Sequence, residues 1–289
     1  PALAKRAIAQ VVQRHDSLRT RFPRAEDGLP VCEILEQPSV PLDEVDLRRA
    51  AEPEREALQR VTELIRAPFD LSRAPLFRLG LYRLDDQEWL LAGVLHHIIS
   101  DLWSVRLFLE EFVACYSALS AGELPALPSL PVQYGDFAAW QRETLRGAKA
   151  EALLSWWRSE LQSASPAELP PGRPRADEAS VQAGVCRFAL GPELEQALES
   201  YCRTRQVTPF VVLLATLSAL VGRAMGKTDL VLGTTTVNRP VPEVDAVIGF
   251  FATPLPVRVN LSGELDFDRL VERAREALRR AQAHQELPF

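Results

Sequence analysis

The stretch from Trp89 to Leu119 changes its hydrophobic period within a few residues, and that change limits what the chain can build. Trp89–Leu95 is a short, continuous apolar run that follows the polar turn Asp85-Asp86-Gln87, the pattern of a buried strand. Beyond Asp101 the apolar positions Val105, Phe108, Leu109, Phe112, Tyr116 and Leu119 recur at three and four, as on one face of a helix. Between the two elements lie His96 and His97, with Asp101 four residues after the second histidine. A strand end held by a core is a rigid support for an imidazole. Neighbouring strand side chains point to opposite faces, so one histidine enters a given cavity and the other packs. By themselves these residues have a plain explanation: two histidines adjacent by chance, and Asp101 capping the next helix.

Elsewhere the sequence alternates strands and helices. An opening helix carries Leu3, Ile8, Val11 and Val12; strands are predicted near Val31–Leu35 and Leu76–Tyr82, and a helix around Pro53–Ile65. A proline-rich stretch, Leu124–Pro131, precedes helices over Asp136–Gly147 and Ala148–Leu161. Ser163–Ser180 holds four prolines among small and charged residues and reads as an extended connector. After it come a strand at Gly184–Leu190 and a helix at Pro192–Arg205. A second helix follows, opened by Thr208-Pro209 and closed by Gly226. That helix is apolar on nearly every face over Phe210–Val221, which predicts full burial. Strands at Leu230–Gly233 and Pro254–Leu261 and an amphipathic helix at Phe267–Ala283, with a Glu276–Arg280 pair, complete the chain. The class is α+β in two lobes: 1–162, a connector 163–180, and 181–289.

Hydrophobic content of 47% with 25% charged residues belongs to a folded globular chain. A net charge of −6 lacks the basic face that nucleic acid demands. Lysine occurs only at Lys5, Lys149 and Lys227, so the basic residues are almost all arginine, a compositional bias of the whole chain. Cys32, Cys115, Cys186 and Cys202 are scattered, without metal-ligand spacing, as in a reduced cytoplasmic protein. No apolar run approaches a membrane span.

Five segments carry more specific information. His96–Ser104 resembles the H-H-x-x-x-D-G signature, and Arg14–Phe22 is similar to R-H-E-x-L-R-T-x-F. Tyr134–Trp140 resembles Y-x-D-F-A-x-W, Ile248–Thr253 resembles I-G-x-F-V-N-T, and His284–Phe289 resembles H-Q-D-x-P-F. In this order and spacing they resemble the condensation domains of nonribosomal peptide synthetases. Leu102 stands where those domains carry glycine, and Ala252 where they carry asparagine.

The resemblance implies two-layer sandwich lobes of the chloramphenicol-acetyltransferase type, paired as a V-shaped pseudo-dimer with the active site in a tunnel between them. It also implies a chain truncated at both ends, with an incomplete C-terminal lobe. The implied reaction joins an acyl or peptidyl donor thioester to an aminoacyl acceptor. Each is carried on the 4'-phosphopantetheine of an upstream or downstream carrier domain, with neighbouring synthetase domains as further partners and no cofactor bound directly. His97 is the implied catalytic residue, since an imidazole titrates near neutral pH; His96 flanks it. Asp101 is implied to be structural, paired with an arginine, for which Arg19 is the candidate. Leu102, Trp103, Gly249, Phe250 and Ala252 are expected to line the pocket or the lobe contact, with Leu102 crowding the wall and Gly249 allowing close backbone approach. Ester formation, or a non-catalytic recruitment role, stands as the alternative; the histidine pair argues against heterocyclisation, whose members carry aspartate-based motifs instead.

Overall fold

The computed structural model describes residues 1–37, 40–164 and 185–288. It divides into two compact units, Pro1–Thr144 with Val237–Ala252, and Leu145–Thr236 with Thr253–Phe289. Both mix helices and strands, as the α+β reading expects. The boundary lies elsewhere than 163–180, most of which falls outside the described residues. Helix α5 (Gly147–Glu160) belongs to the second unit because Trp157 packs into its core and the Glu160 carbonyl accepts from Arg258.

In the first unit, strands β3 (Leu42–Asp46), β4 (Phe77–Arg83) and β5 (Trp89–Leu95) form a sheet in that order, after a two-residue ladder of β1 (Thr20–Arg21) and β2 (Glu33–Ile34). β3 and β4 run parallel, joined through helix α2 (Pro53–Arg66), whose Pro53 and acidic first turn suit a helix start. β3 was not legible: Leu-Asp-Glu-Val-Asp exposes its acidic positions and buries little. β4 and β5 pair antiparallel from Phe77↔Leu95 to Arg83↔Trp89, so the polar turn after Arg83 reverses the chain as expected. Helices α1 (Ala2–Arg14) and α3 (Leu102–Ser120) pack together, with Ile8, Val11, Leu18, Phe77, Leu107 and Phe108 in one core.

The buried face of α3 is rotated from the one the spacing suggested. It holds Ser104, Leu107, Phe108, Glu111 and Cys115, while Leu109 and Tyr116 are exposed. Two polar residues can occupy it because each finds buried partners, described below. Helix α4 (Tyr134–Thr144) places Phe137 against Val244, Val247 and Phe251.

In the second unit, β6 (Asp229–Thr236) and β7 (Thr253–Asn260) pair antiparallel, covered by α7 (Pro209–Met225) and α8 (Phe267–Gln282). Helix α6 (Pro192–Arg205) precedes α7; residues 185–190 are irregular, so the strand predicted at Gly184–Leu190 is not formed among the described residues. Thr208 caps α7 through Val211 N–H, and Gly226 ends it at φ 63°, the left-handed region that glycine enters freely. The expectation that α7 is buried all round fails. Val211, Val212, Leu214 and Ala215 are buried, but Phe210, Leu213, Leu217 and Leu220 are exposed, because sheet and α8 cover one side only. The predicted Glu276–Arg280 pair is replaced as well: Glu276 binds Arg279, and Arg280 reaches Glu160 on α5. Among the described residues no single helix is long and apolar enough to cross a membrane; α6 and α7 meet that test only as a pair bent by 108°.

Candidate active site

Strand β5 ends at Leu95, so His96 and His97 sit in the turn before α3, and this turn rather than strand alternation separates them. His96 is half-buried; its Nδ1 accepts from Ile98 N–H at 3.0 Å and its ring meets Phe69 edge-on at 5.6 Å. His97 is exposed, with Nδ1 2.7 Å from the Ser100 carbonyl oxygen. A carbonyl only accepts, so Nδ1 carries the proton and Nε2 presents a lone pair. The ring of Phe250 lies against it, with centroids 4.6 Å apart.

Asp101 does two things at once. Its Oδ1 caps α3, accepting from Ser104 N–H at 2.8 Å and from Ser104 Oγ at 2.7 Å. Its Oδ2 accepts from the backbone N–H groups of Phe251 and Ala252 at 3.1 and 3.2 Å. The ionic partner is Arg239, with Nη2 3.7 Å from Oδ1 and both side chains 3% exposed. Burial lowers the Arg239 pKa from its ordinary value, an effect that Asp101 and Asp245 oppose. The guanidinium also lies 3.9 Å over the Phe251 ring, and its Nη1 donates to the Val247 carbonyl at 2.8 Å.

The Arg19–Asp101 pairing is therefore corrected. Arg19 ends a 3₁₀ turn, Asp16–Arg19, and spends its guanidinium locally on the Asp16 carboxylate and the Leu35 carbonyl, pinning β1 to β2. Leu102 takes the first helical position of α3, an ordinary backbone, and its side chain is 86% exposed rather than crowded against a wall. Trp103 donates its indole N–H to the Asp245 carbonyl at 2.9 Å.

The remaining motif residues converge on the backbone of residues 248–252. His15 accepts from Ile248 N–H through Nδ1 at 3.3 Å, and Ser17 donates to the Ile248 carbonyl at 2.6 Å. Ser104 Oγ lies 3.1 Å from Gly249 N and 2.8 Å from its carbonyl. Tyr134 donates its hydroxyl to the Phe250 carbonyl at 2.7 Å. A Cβ on Gly249 would run into the Tyr134 ring, so the expected close approach is real and its partner is that ring. Ala252 takes part only through its N–H, which any residue but proline supplies.

Sequence reasoning missed Arg239, Ser104 and Glu111. Arg239 had a signal: it is the sole basic residue between Lys227 and Arg258. Glu111, 8% exposed, had another, as a carboxylate in register with the apolar positions of α3.

A buried Asp–Arg pair holding a loop beside an exposed, tautomer-fixed histidine defines an acyltransferase-type site. Over residues 1–289 the chain matches the family described as Condensation domain, and it belongs to that family of the nonribosomal peptide synthetases. A linear gramicidin synthase of Brevibacillus parabrevis is 42% identical over 288 residues, which are 99% of this chain and 4% of that protein. Phosphinothricin tripeptide synthetase PhsC of Streptomyces viridochromogenes is 39% identical over 286 residues, 98% of this chain and 26% of that protein. Among solved structures, the X-domain in its complex with OxyB from teicoplanin biosynthesis superposes with a TM-score of 0.85 at 29% identity, covering 100% of this chain and 63% of that one. The first condensation domain of the calcium-dependent antibiotic synthetase, at 24% identity, shares the fold with a TM-score of 0.85, over 99% of this chain and 66% of that one. The chain thus spans a small part of these synthetases and about two-thirds of the solved domains.

Proposed function

We propose that this chain forms an amide bond by acyl transfer from a carrier-bound donor thioester to a carrier-bound aminoacyl acceptor. The observation that carries this reading is His97, whose Nδ1–H is committed to Ser100 and whose Nε2 is left as an outward acceptor. As the acceptor amine attacks the thioester carbonyl, Nε2 takes the proton that the nitrogen sheds. The tetrahedral species then collapses to the amide, the thiolate leaves, and the proton passes to sulfur. Base catalysis of this kind contributes roughly 10²–10⁴-fold, and tethering both substrates adds to it by raising their effective concentration. The 4'-phosphopantetheine arms arrive on the carrier domains, as substrates. Upstream and downstream carriers, neighbouring synthetase domains, a cytoplasmic location and the V-shaped pairing of two chloramphenicol-acetyltransferase-like lobes belong to the same proposal. It is supported by the family assignment and, for location, by four unpaired cysteines.

The test is reconstitution of the full-length protein with loaded donor and acceptor carriers, followed by intact-protein mass spectrometry. The acyl group should move to the acceptor arm. His97→Ala should slow transfer roughly 10²–10⁴-fold at an unchanged melting temperature, whereas His96→Ala should act through stability. Equal turnover by parent and His97→Ala sinks the catalytic assignment. A recruitment role is the second reading, favoured by the likeness to an X-domain solved in complex with OxyB. Absence of transfer with every carrier pair, together with stoichiometric binding of a purified partner enzyme, would replace the first reading with it.

A further inference from the structure

We infer that His15 is a positioning residue for His97, acting through the peptide of Ile248, and that it works as a neutral imidazole with its proton on Nε2. The inference rests on the proposed reaction only for the role given to His97. His15 is fully buried, and the reaction as written does not use it. Its Nδ1 faces Ile248 N–H, a group that only donates, so that nitrogen must accept. Its Nε2 lies 2.8 Å from Glu111 Oε2, so the ring proton sits there. Glu111 is fixed in turn by Arg14, whose Nε donates to Oε1 at 3.0 Å. Both ring nitrogens therefore meet groups of set polarity, and a flipped ring would turn carbon towards each.

The peptide that His15 holds is gripped from its other side by Ser17. Two residues on, the Phe250 carbonyl is held by Tyr134, and Phe250 packs its ring on His97. Gly249 between them carries no side chain, and the Tyr134 ring fills the space where one would go. A displacement at Ile248 is thus passed to the ring that flanks the reacting imidazole. Glu111 and Arg14 have no other part in the site; they orient His15.

The test needs no substrate. Diethylpyrocarbonate acylates an unprotonated imidazole nitrogen, and peptide mass spectrometry of the briefly treated, folded full-length protein reports His97 separately from His15, His96 and His284. Phe250→Ala uncovers the ring and should raise the His97 rate roughly three- to tenfold, the equilibrium equivalent of one neutral hydrogen bond. His15→Phe, of similar size but without polar ring atoms, should raise it in the same sense. The double variant should go no further than Phe250→Ala alone. His15→Asn sets an amide oxygen where Nδ1 stood and should restore the parental rate. A parental His97 rate in His15→Phe with only a lower melting temperature would make His15 structural and overturn the inference, as would additive single effects. Should His15→Phe fail to fold, Ser17→Ala loosens the same peptide and must shift the rate likewise, or the inference falls. A protein that transfers no acyl group yet follows this pattern would refute the reaction and leave the positioning role standing.

Discussion

Asp101 supports two sequence-level readings that look like rivals. The plain one made it a helix cap; the family resemblance made it half of a buried ion pair. Its two oxygens allow both, one turned to Ser104 and Arg239 and the other to the N–H groups of Phe251 and Ala252. The motif told us that an arginine was needed but not which one, because ion pairing joins residues far apart in the chain and the chain is rich in arginine. Arg19 was nearest to a motif, yet its reach is exhausted by Asp16 and Leu35. Removing one member of a buried pair costs about 3–5 kcal/mol because the other charge is orphaned. Asp101→Ala and Arg239→Ala should each lower stability on that scale in urea titrations, and the double variant should lose less than their sum. Arg19→Ala combined with Asp101→Ala should instead be additive; coupling between those two would contradict the geometry.

At the level of elements, hydrophobic period located α1, α2, β4, β5, α3 and α8, each of which buries a stripe the sequence displays. It misjudged α7 for a physical reason: a helix apolar all round records no direction, and only its packing decides which face is covered. Leu214 and Leu217 lie one turn apart at 7% and 49% exposure. Leu214→Ala should cost about 2–5 kcal/mol, as truncation of a buried leucine does, while Leu217→Ser should stay within roughly 0.5 kcal/mol. Equal losses at the two positions would mean that the outward face of α7 is covered. β3 escaped notice for the opposite reason: its acidic residues face water, and its place is set by parallel pairing with β4 rather than by its own burial.

Across the whole molecule, acid should be the weak limb of stability. A hydrogen bond from Arg258 holds the Asp229 carboxyl below its usual range, Arg48 does the same for Asp46, and Arg279 for Glu276. Each group binds its proton less readily folded than unfolded. Its stabilising contribution is therefore present above the unfolded value, near pH 4, and lost as the pH falls through the folded one. Melting temperatures should drop below about pH 4, and Asp229→Asn should flatten that decline; an unchanged slope would remove Asp229 from the account. Domain organisation was the least legible level. Composition marks the proline-rich run, but nothing local announces that residues 237–252 leave the second unit for the first. Their point of departure and their point of return are cross-strand neighbours, Thr236 opposite Thr253. A chain that exits and re-enters at paired positions costs its host little loop-closure entropy beyond that of an ordinary hairpin, since that cost grows only slowly with length. The β6–β7 ladder can therefore tolerate exchange of the whole excursion. Arg239, the loop that Asp101 grips and the ring beside His97 travel together as an exchangeable cassette, and a graft of that one segment between relatives would carry a new wall to the reaction without disturbing the sheet it hangs from.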